Sequence, residues 1–434
     1  MSKTKLIAVF IILLLATACS PLQRIGQGDN STRLQRLEEA EKFENLNGFK
    51  AEEGRFYFSG IMEGKLGFFS INLSTHEVEK EDWDIGEYDL YVPLKKQESI
   101  IVNFDGELIH RKENKDKRIA VDISGEYSPN VILSPDRRLL LYTTGSRQGA
   151  TLYRYDIDNE EVKKIKDSIT EEAFYTFHYT TLWSNKSGYF IHNNEEIYDD
   201  KGEGFAVIKA TSAKWSPDDK YIAYIQMPQD IEEQRIQIGD WKSYIGNEFK
   251  LYNLKDRTDE VLFKNSEGYI DPVDSIQWSK DSTRVAISEG KIIKSVEGEL
   301  EEMQYERVMV YGLKDSKSHT VNDMKYNHYE FIFNTLVYGN NFGIREAMEI
   351  VSIDREERKS FQNPVMLNSK ELFVITHKDK GYFVNGRDLM HINKDGKASV
   401  LISLPWKIDE MYIDYETEQL IIINENMELY LVKL

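Results

Sequence analysis

The chain has 434 residues, with 55 basic and 74 acidic side chains and a net charge of −19. A surface this acidic repels nucleic acid and anionic head groups, so neither is an expected partner. Charged residues at 30% and aromatics at 12% describe a folded body, and a single cysteine excludes a disulfide framework.

Lys3 and Lys5 open the chain, an apolar run follows from Leu6 to Leu15, and Ala16, Thr17 and Ala18 precede Cys19. The run is about half the roughly 20 apolar residues that a membrane-crossing helix needs, and its small-residue end is the layout of a secretory signal. The tract Leu15-Ala16-Thr17-Ala18-Cys19 resembles the lipobox of bacterial lipoproteins, with Ala16 standing where that pattern usually has Leu, Val or Ile. The resemblance implies a signal peptide over 1–18, diacylglycerol and palmitate on Cys19, and a place on the extracytoplasmic face of the cell membrane. An ordinary signal with an incidental cysteine is the competing reading. No cofactor beyond the lipid is expected. The roughly 415 residues after the cut exceed what one hydrophobic core usually holds, so repeats or two domains are expected.

Residues 20–48 read as a polar spacer followed by one helix over 32–46, capped by Ser31 or Thr32. Leu34, Leu37, Ala40, Phe43 and Leu46 step by three. On an α-helix each such step falls about 60° short of a full turn, so the apolar residues spiral and predict a loosely docked arm.

From residue 49 to 434 short apolar strands alternate with turn residues, and four stretches are related. Leu133-Ser134-Pro135-Asp136 leads into Leu139 to Tyr142, and Trp183-Ser184-Asn185 into Tyr189 to Ile191. Trp215-Ser216-Pro217-Asp218-Asp219-Lys220 leads into Tyr221 to Ile225, and Trp278-Ser279-Lys280-Asp281 into Val285 to Ile287. Pro217 presets φ and Asp218 bonds nearby backbone, which makes the tract a hairpin. Tyr221 to Ile225 is apolar on both alternate faces, as a strand covered on both sides must be. Third and fourth strands follow, at 151–156 and 161–165 and again at 249–254 and 260–263. Four strands per repeated unit make a propeller blade, with Trp183, Trp215 and Trp278 filling the wedges between blades.

The Trp-Ser-Pro-Asp-Asp-Lys-Tyr-Ile-Ala-Tyr tract resembles the repeat of TolB-type propellers, which implies an all-β propeller fold and no particular activity. Units beginning near Phe56, Leu90, Val131, Thr181, Ala213, Ser275, Phe331 and Val365 predict eight blades, with seven as the alternative. The last strands, around 411–413, 420–423 and 429–432, are expected to complete the first blade and close the ring.

Signatures of catalysis are scarce. There is no Gly-x-Ser-x-Gly elbow and no His-Glu-x-x-His, and none of the eight histidines is spaced as a metal ligand pair. Asp and Glu are numerous enough to hold a glycosidase pair. The informative irregularity is loop length, because residues 226–248 and 288–306 separate second from third strands in consecutive units, where connections usually run about 4 to 6 residues. Both insertions belong on the face opposite the Ser-Pro-Asp turns. The first carries Arg235, Asp240, Trp241 and Tyr244, and the second an acidic cluster with Glu301, then Tyr305. Trp241 either meets a partner or tucks its own loop, and the acidic cluster reads as solvated. The expected function is a lipid-anchored binding propeller that offers this face to a protein, peptide or glycan of the envelope. An envelope-polymer hydrolase or lyase with carboxylates at the channel is the alternative.

Overall fold

The computed structural model describes residues 34–83, 88–95, 98–113, 115–125, 128–227, 235–238, 241–244, 246, 248–265, 269–270, 276–294, 301–322, 328–333, 335–339, 348–353, 357–361, 364–365 and 374–434. Nine antiparallel sheets succeed one another as blades: 44–83, 88–120, 131–166, 182–207, 210–264, 269–322, 328–361, 364–403, and 408–433 joined by Leu34–Arg36. In the sixth and eighth blades two short pieces occupy the first-strand position. The first strands are innermost: Glu44–Glu52 lies beside Ile408–Asp414, and Gln277–Trp278 beside His328–Ile332.

The layering follows from the side chains. Second strands such as Leu139–Thr144 and Gln419–Asn424 are buried along nearly their whole length, because a neighbouring blade covers each face. Fourth strands such as Lys115–Ala120 and Thr258–Lys264 form the wet rim and carry the charges. One face of the ring bears the first-to-second and third-to-fourth hairpins and is called the turn face here. The opposite face bears the second-to-third connections and is called the insertion face.

The repeated turn is built as its residues dictate. Ser216 Oγ accepts from Tyr221 N at 3.0 Å and donates to Asp218 Oδ1 at 2.8 Å, while Asp219 takes φ 61°. Ser134 and Ser279 repeat the same clasp, and Ser184 makes its first half. Each tryptophan then ties its blade to the preceding one. Trp215 Nε1 donates to Leu182 O at 3.2 Å, Trp278 Nε1 to Lys214 O at 3.2 Å, and Trp183 Nε1 to Ile132 O at 3.5 Å. Neighbouring turns are joined as well, by Asp136 N to Ser187 Oγ at 3.1 Å, Lys186 N to Asp219 Oδ2 at 2.7 Å, and Asp218 N to Ser282 Oγ at 3.0 Å.

Three expectations need correction. The blades number nine, since the strands after residue 408 form a blade of their own rather than completing the first. No helix spans 32–46: among its described residues, Leu34–Arg36 is a strand, Glu38–Lys42 a single 3₁₀ turn, and Glu44–Glu52 the first strand of blade 1. The ring therefore begins at Leu34 rather than residue 49. For Leu37, Ala40 and Phe43 the step of three is the cause, because a 3₁₀ turn has 3.0 residues per turn and aligns what an α-helix would spiral, whereas Leu34 and Leu46 belong to the flanking strands. Leu37, Ala40, Phe43 and Leu46 are all buried, between blades 9 and 1.

Closure rests on this segment and on one carboxylate. Leu34 pairs with Val432 and Arg36 with Tyr430, making the N-terminal strand the outer strand of blade 9. Asp414, fully buried, accepts Gly54 N at 2.7 Å from blade 1 as well as Glu416 N and Thr417 N of its own turn at 2.8 and 3.0 Å. Strand direction puts Leu34 at the turn face and Arg36 toward the insertion face, so the chain enters the ring from the turn face.

Candidate functional site

The two insertions fold into paired strands. In the first, Arg235–Ile238 and Trp241–Tyr244 form an antiparallel ribbon in which Arg235 stands opposite Tyr244 and Ile238 opposite Trp241. Alternation sets Ile236, Ile238 and Trp241 at positions of one face, and Arg235, Gln237, Lys242 and Tyr244 at those of the other. Asp240 lies outside the described residues, as does Cys19. The second insertion is no separate loop. It prolongs the middle strands of blade 6, Arg284–Lys294 and Glu301–Gly312, into a long hairpin. Glu301 stands opposite Lys294 and Tyr305 opposite Gly290, so one member of the acidic cluster sits opposite a lysine position on the ladder, while Glu297 and Glu299 lie outside the described residues.

The insertions adjoin. Strand Arg235–Ile238 lies beside strand Glu301–Gly312. The return of the first insertion is also stitched to blade 6: Gly246 pairs with Ile270, whose N donates to Gly246 O at 3.1 Å, and Ile270 in turn pairs with Glu289 of the long hairpin. Gly246 is required there, because a Cβ would lie 2.2 Å from Ile225 Cγ2 and 2.9 Å from Gln226 O. Under the hairpin, buried Glu289 is ion-paired with Arg307 and accepts Asn265 Nδ2 at 3.2 Å. Five of the six residues singled out from sequence thus fall on adjoining strands of one face, although nothing in their spacing revealed the Gly246 stitch or the Glu289 anchor.

A hollow of about 270 Å³ along the inner strands of blades 4 to 6 is lined by Tyr179, Trp183, Ser212, Lys214 and Trp215 among others, with no carboxylate among its described lining residues. Elsewhere cations hold carboxylates as anions: Arg118 depresses Glu107, Arg111 depresses Asp116, and Lys378 depresses Glu418. Among the described residues, no group of three or more His, Cys, Asp or Glu is arranged to hold a metal ion.

No protein-family model and no characterised protein sequence matches the chain. Solved structures do. The chain is similar to BamB from Moraxella catarrhalis, at 7% identity over 92% of this chain and 98% of that one, with a TM-score of 0.39. TolB from Acinetobacter baumannii matches at 13% identity over 73% and 77%, with a TM-score of 0.29. The tricorn protease matches at 12% identity over 88% of this chain, with a TM-score of 0.38, and the chain spans 37% of that protein's length.

Proposed function

We propose that the chain is a lipid-anchored, extracytoplasmic binding propeller whose adjoining insertions of blades 5 and 6 receive a protein, peptide or glycan partner. The observation that carries the reading is that strand Arg235–Ile238 of one insertion lies beside strand Glu301–Gly312 of the other, with the Gly246–Ile270 pair joining the two blades beneath them. Loops of a rigid scaffold are where binding residues concentrate, and the register of the ribbon puts Ile236, Ile238 and Trp241 at positions of one face and Arg235 and Tyr244 at those of the other.

The anchor gives this surface a direction. Ser20 to Arg33 is 14 residues, which reach at most about 50 Å when extended. They join the ring on the turn face, so a lipid on Cys19 sets that face toward the membrane and the insertions away from it. The test has two parts. Cys19→Ala releases the chain from the membrane fraction, and retention there overturns the anchor. A photo-crosslinker in place of Trp241 forms a discrete adduct in intact envelopes that one in place of exposed Lys255 does not, and equal adducts at both positions overturn the site.

A further inference from the structure

Hairpin length varies around the turn face. Blades 3 to 6 turn through longer tracts clasped by Ser134, Ser184, Ser216 and Ser279, whereas blade 7 turns between Ile332 and Thr335 and blade 8 between His377 and Lys380, each with two residues between. Short hairpins behind a long one leave a notch. The notch over blade 7 has a volume of about 580 Å³, within the range of small-molecule sites.

Its chemistry runs against the rest of the chain. Lys280 and Arg284 come from the blade 6 turn, Lys378 and Lys394 from blade 8, and Asp281 and Asp379 are the two carboxylates that line it, in a protein of net charge −19. Asp281 is occupied by its own turn, accepting Ser279 Oγ at 2.8 Å and Thr283 Oγ1 at 2.7 Å. Lys394 pairs with Asp379 at 2.6 Å and Lys378 with Glu418. Lys280 reaches across blade 7 to a neutral group, Thr376 Oγ1, at 3.4 Å. Phe331 and Phe333 supply an apolar wall. Phe333 holds φ 55°, as the two-residue hairpin requires and as Lys378 does at the same place in blade 8, and so stands at the tip of the blade 7 turn.

We infer that this notch binds a phosphoryl group carried on an apolar or aromatic body, with Lys280, Arg284 and Thr376 donating to the phosphoryl oxygens and the phenylalanines covering the body. A phosphoryl group has three acceptor oxygens for three separated donors, and its charge competes better than a carboxylate's against the acids nearby. The inference does not depend on the insertion face. Only the source of the phosphoryl group touches the anchor reading, since a membrane-facing notch also meets lipid head groups.

Lysine acylation of the full chain in neutral detergent, read residue by residue by mass spectrometry, tests it. Phenyl phosphate at about four times its Kd lowers labelling of Lys280 about fivefold, phenol does not, and Lys255 is unchanged. Thr376→Val weakens the protection of Lys280 by the same probe. Protection by phosphatidylcholine vesicles containing phosphatidic acid, beyond vesicles of phosphatidylcholine alone, assigns the ligand to head groups; protection by phenyl phosphate without that vesicle effect assigns it to soluble esters. Unchanged Lys280 labelling with every probe, or equal protection of Lys255, overturns the inference.

Discussion

Blades 3 to 6 and the arc from blade 7 round to blade 2 are held together differently. In the first arc a repeated Ser-x-Asp clasp, a tryptophan reaching the preceding blade and turn-to-turn bonds recur, so cohesion is spread over many contacts of about 1 kcal/mol each. In the second arc the clasp is absent among the described residues, and closure at the blade 9 to blade 1 seam draws on a buried apolar segment, on Asp414 and on Tyr412, whose hydroxyl donates to Gly48 O at 2.8 Å. The lesson is that a ring built from a repeat still depends on its seam, where single residues carry more.

That contrast predicts a ranking. Leu37→Asp places a charge in the seam at a residue 1% exposed and lowers unfolding stability by about 4 kcal/mol in urea titration. Asp414→Ala strands Gly54 N and two other donors, at a cost of about 3 kcal/mol by the same measurement. Trp215→Phe keeps the wedge filled and removes one bond, at a cost of about 1 kcal/mol. If Trp215→Phe destabilised the ring as much as Leu37→Asp, the seam would hold no special place.

Acid sharpens the comparison from the repeat side. Burial, with Lys166 nearby, holds the His192 imidazole in blade 4 down at about 4. The folded chain keeps it neutral while the unfolded chain takes up a proton below about pH 6.5. Stability from this group is full above about pH 6.5 and is lost as the pH falls toward about 4, by up to about 3 kcal/mol. His192→Gln flattens that limb of the stability profile between those pH values, and an unchanged limb would show that another group carries it.

The same contrast explains what was legible in the sequence. Ser216, Pro217, Asp218 and Trp215 announce their turn because each backbone angle and bond in it needs that residue type. The fold class, the units from blade 3 to blade 6 and the insertions on one face follow from them. The ninth blade was hidden because its fourth strand is three residues, Leu34–Arg36, too short to show a period, and comes from the other end of the chain. Leu37, Ala40 and Phe43 were misread because a step of three means one thing on an α-helix and another on a 3₁₀ turn. At the candidate site the loop lengths were visible, but the pairing of Gly246 with Ile270 joins residues of two blades and leaves no local pattern.

The central claim, that the two insertions act as one binding surface, is tested most directly by moving one and reading the other. A photo-crosslinker at Tyr305 of blade 6 is followed in intact envelopes with and without residues 228–244 of blade 5, replaced by a short Gly-Ser link. The adduct at position 305 is lost, while the urea midpoint of the ring shifts by no more than about 0.5 kcal/mol equivalent. An adduct of undiminished yield at position 305 would contradict it.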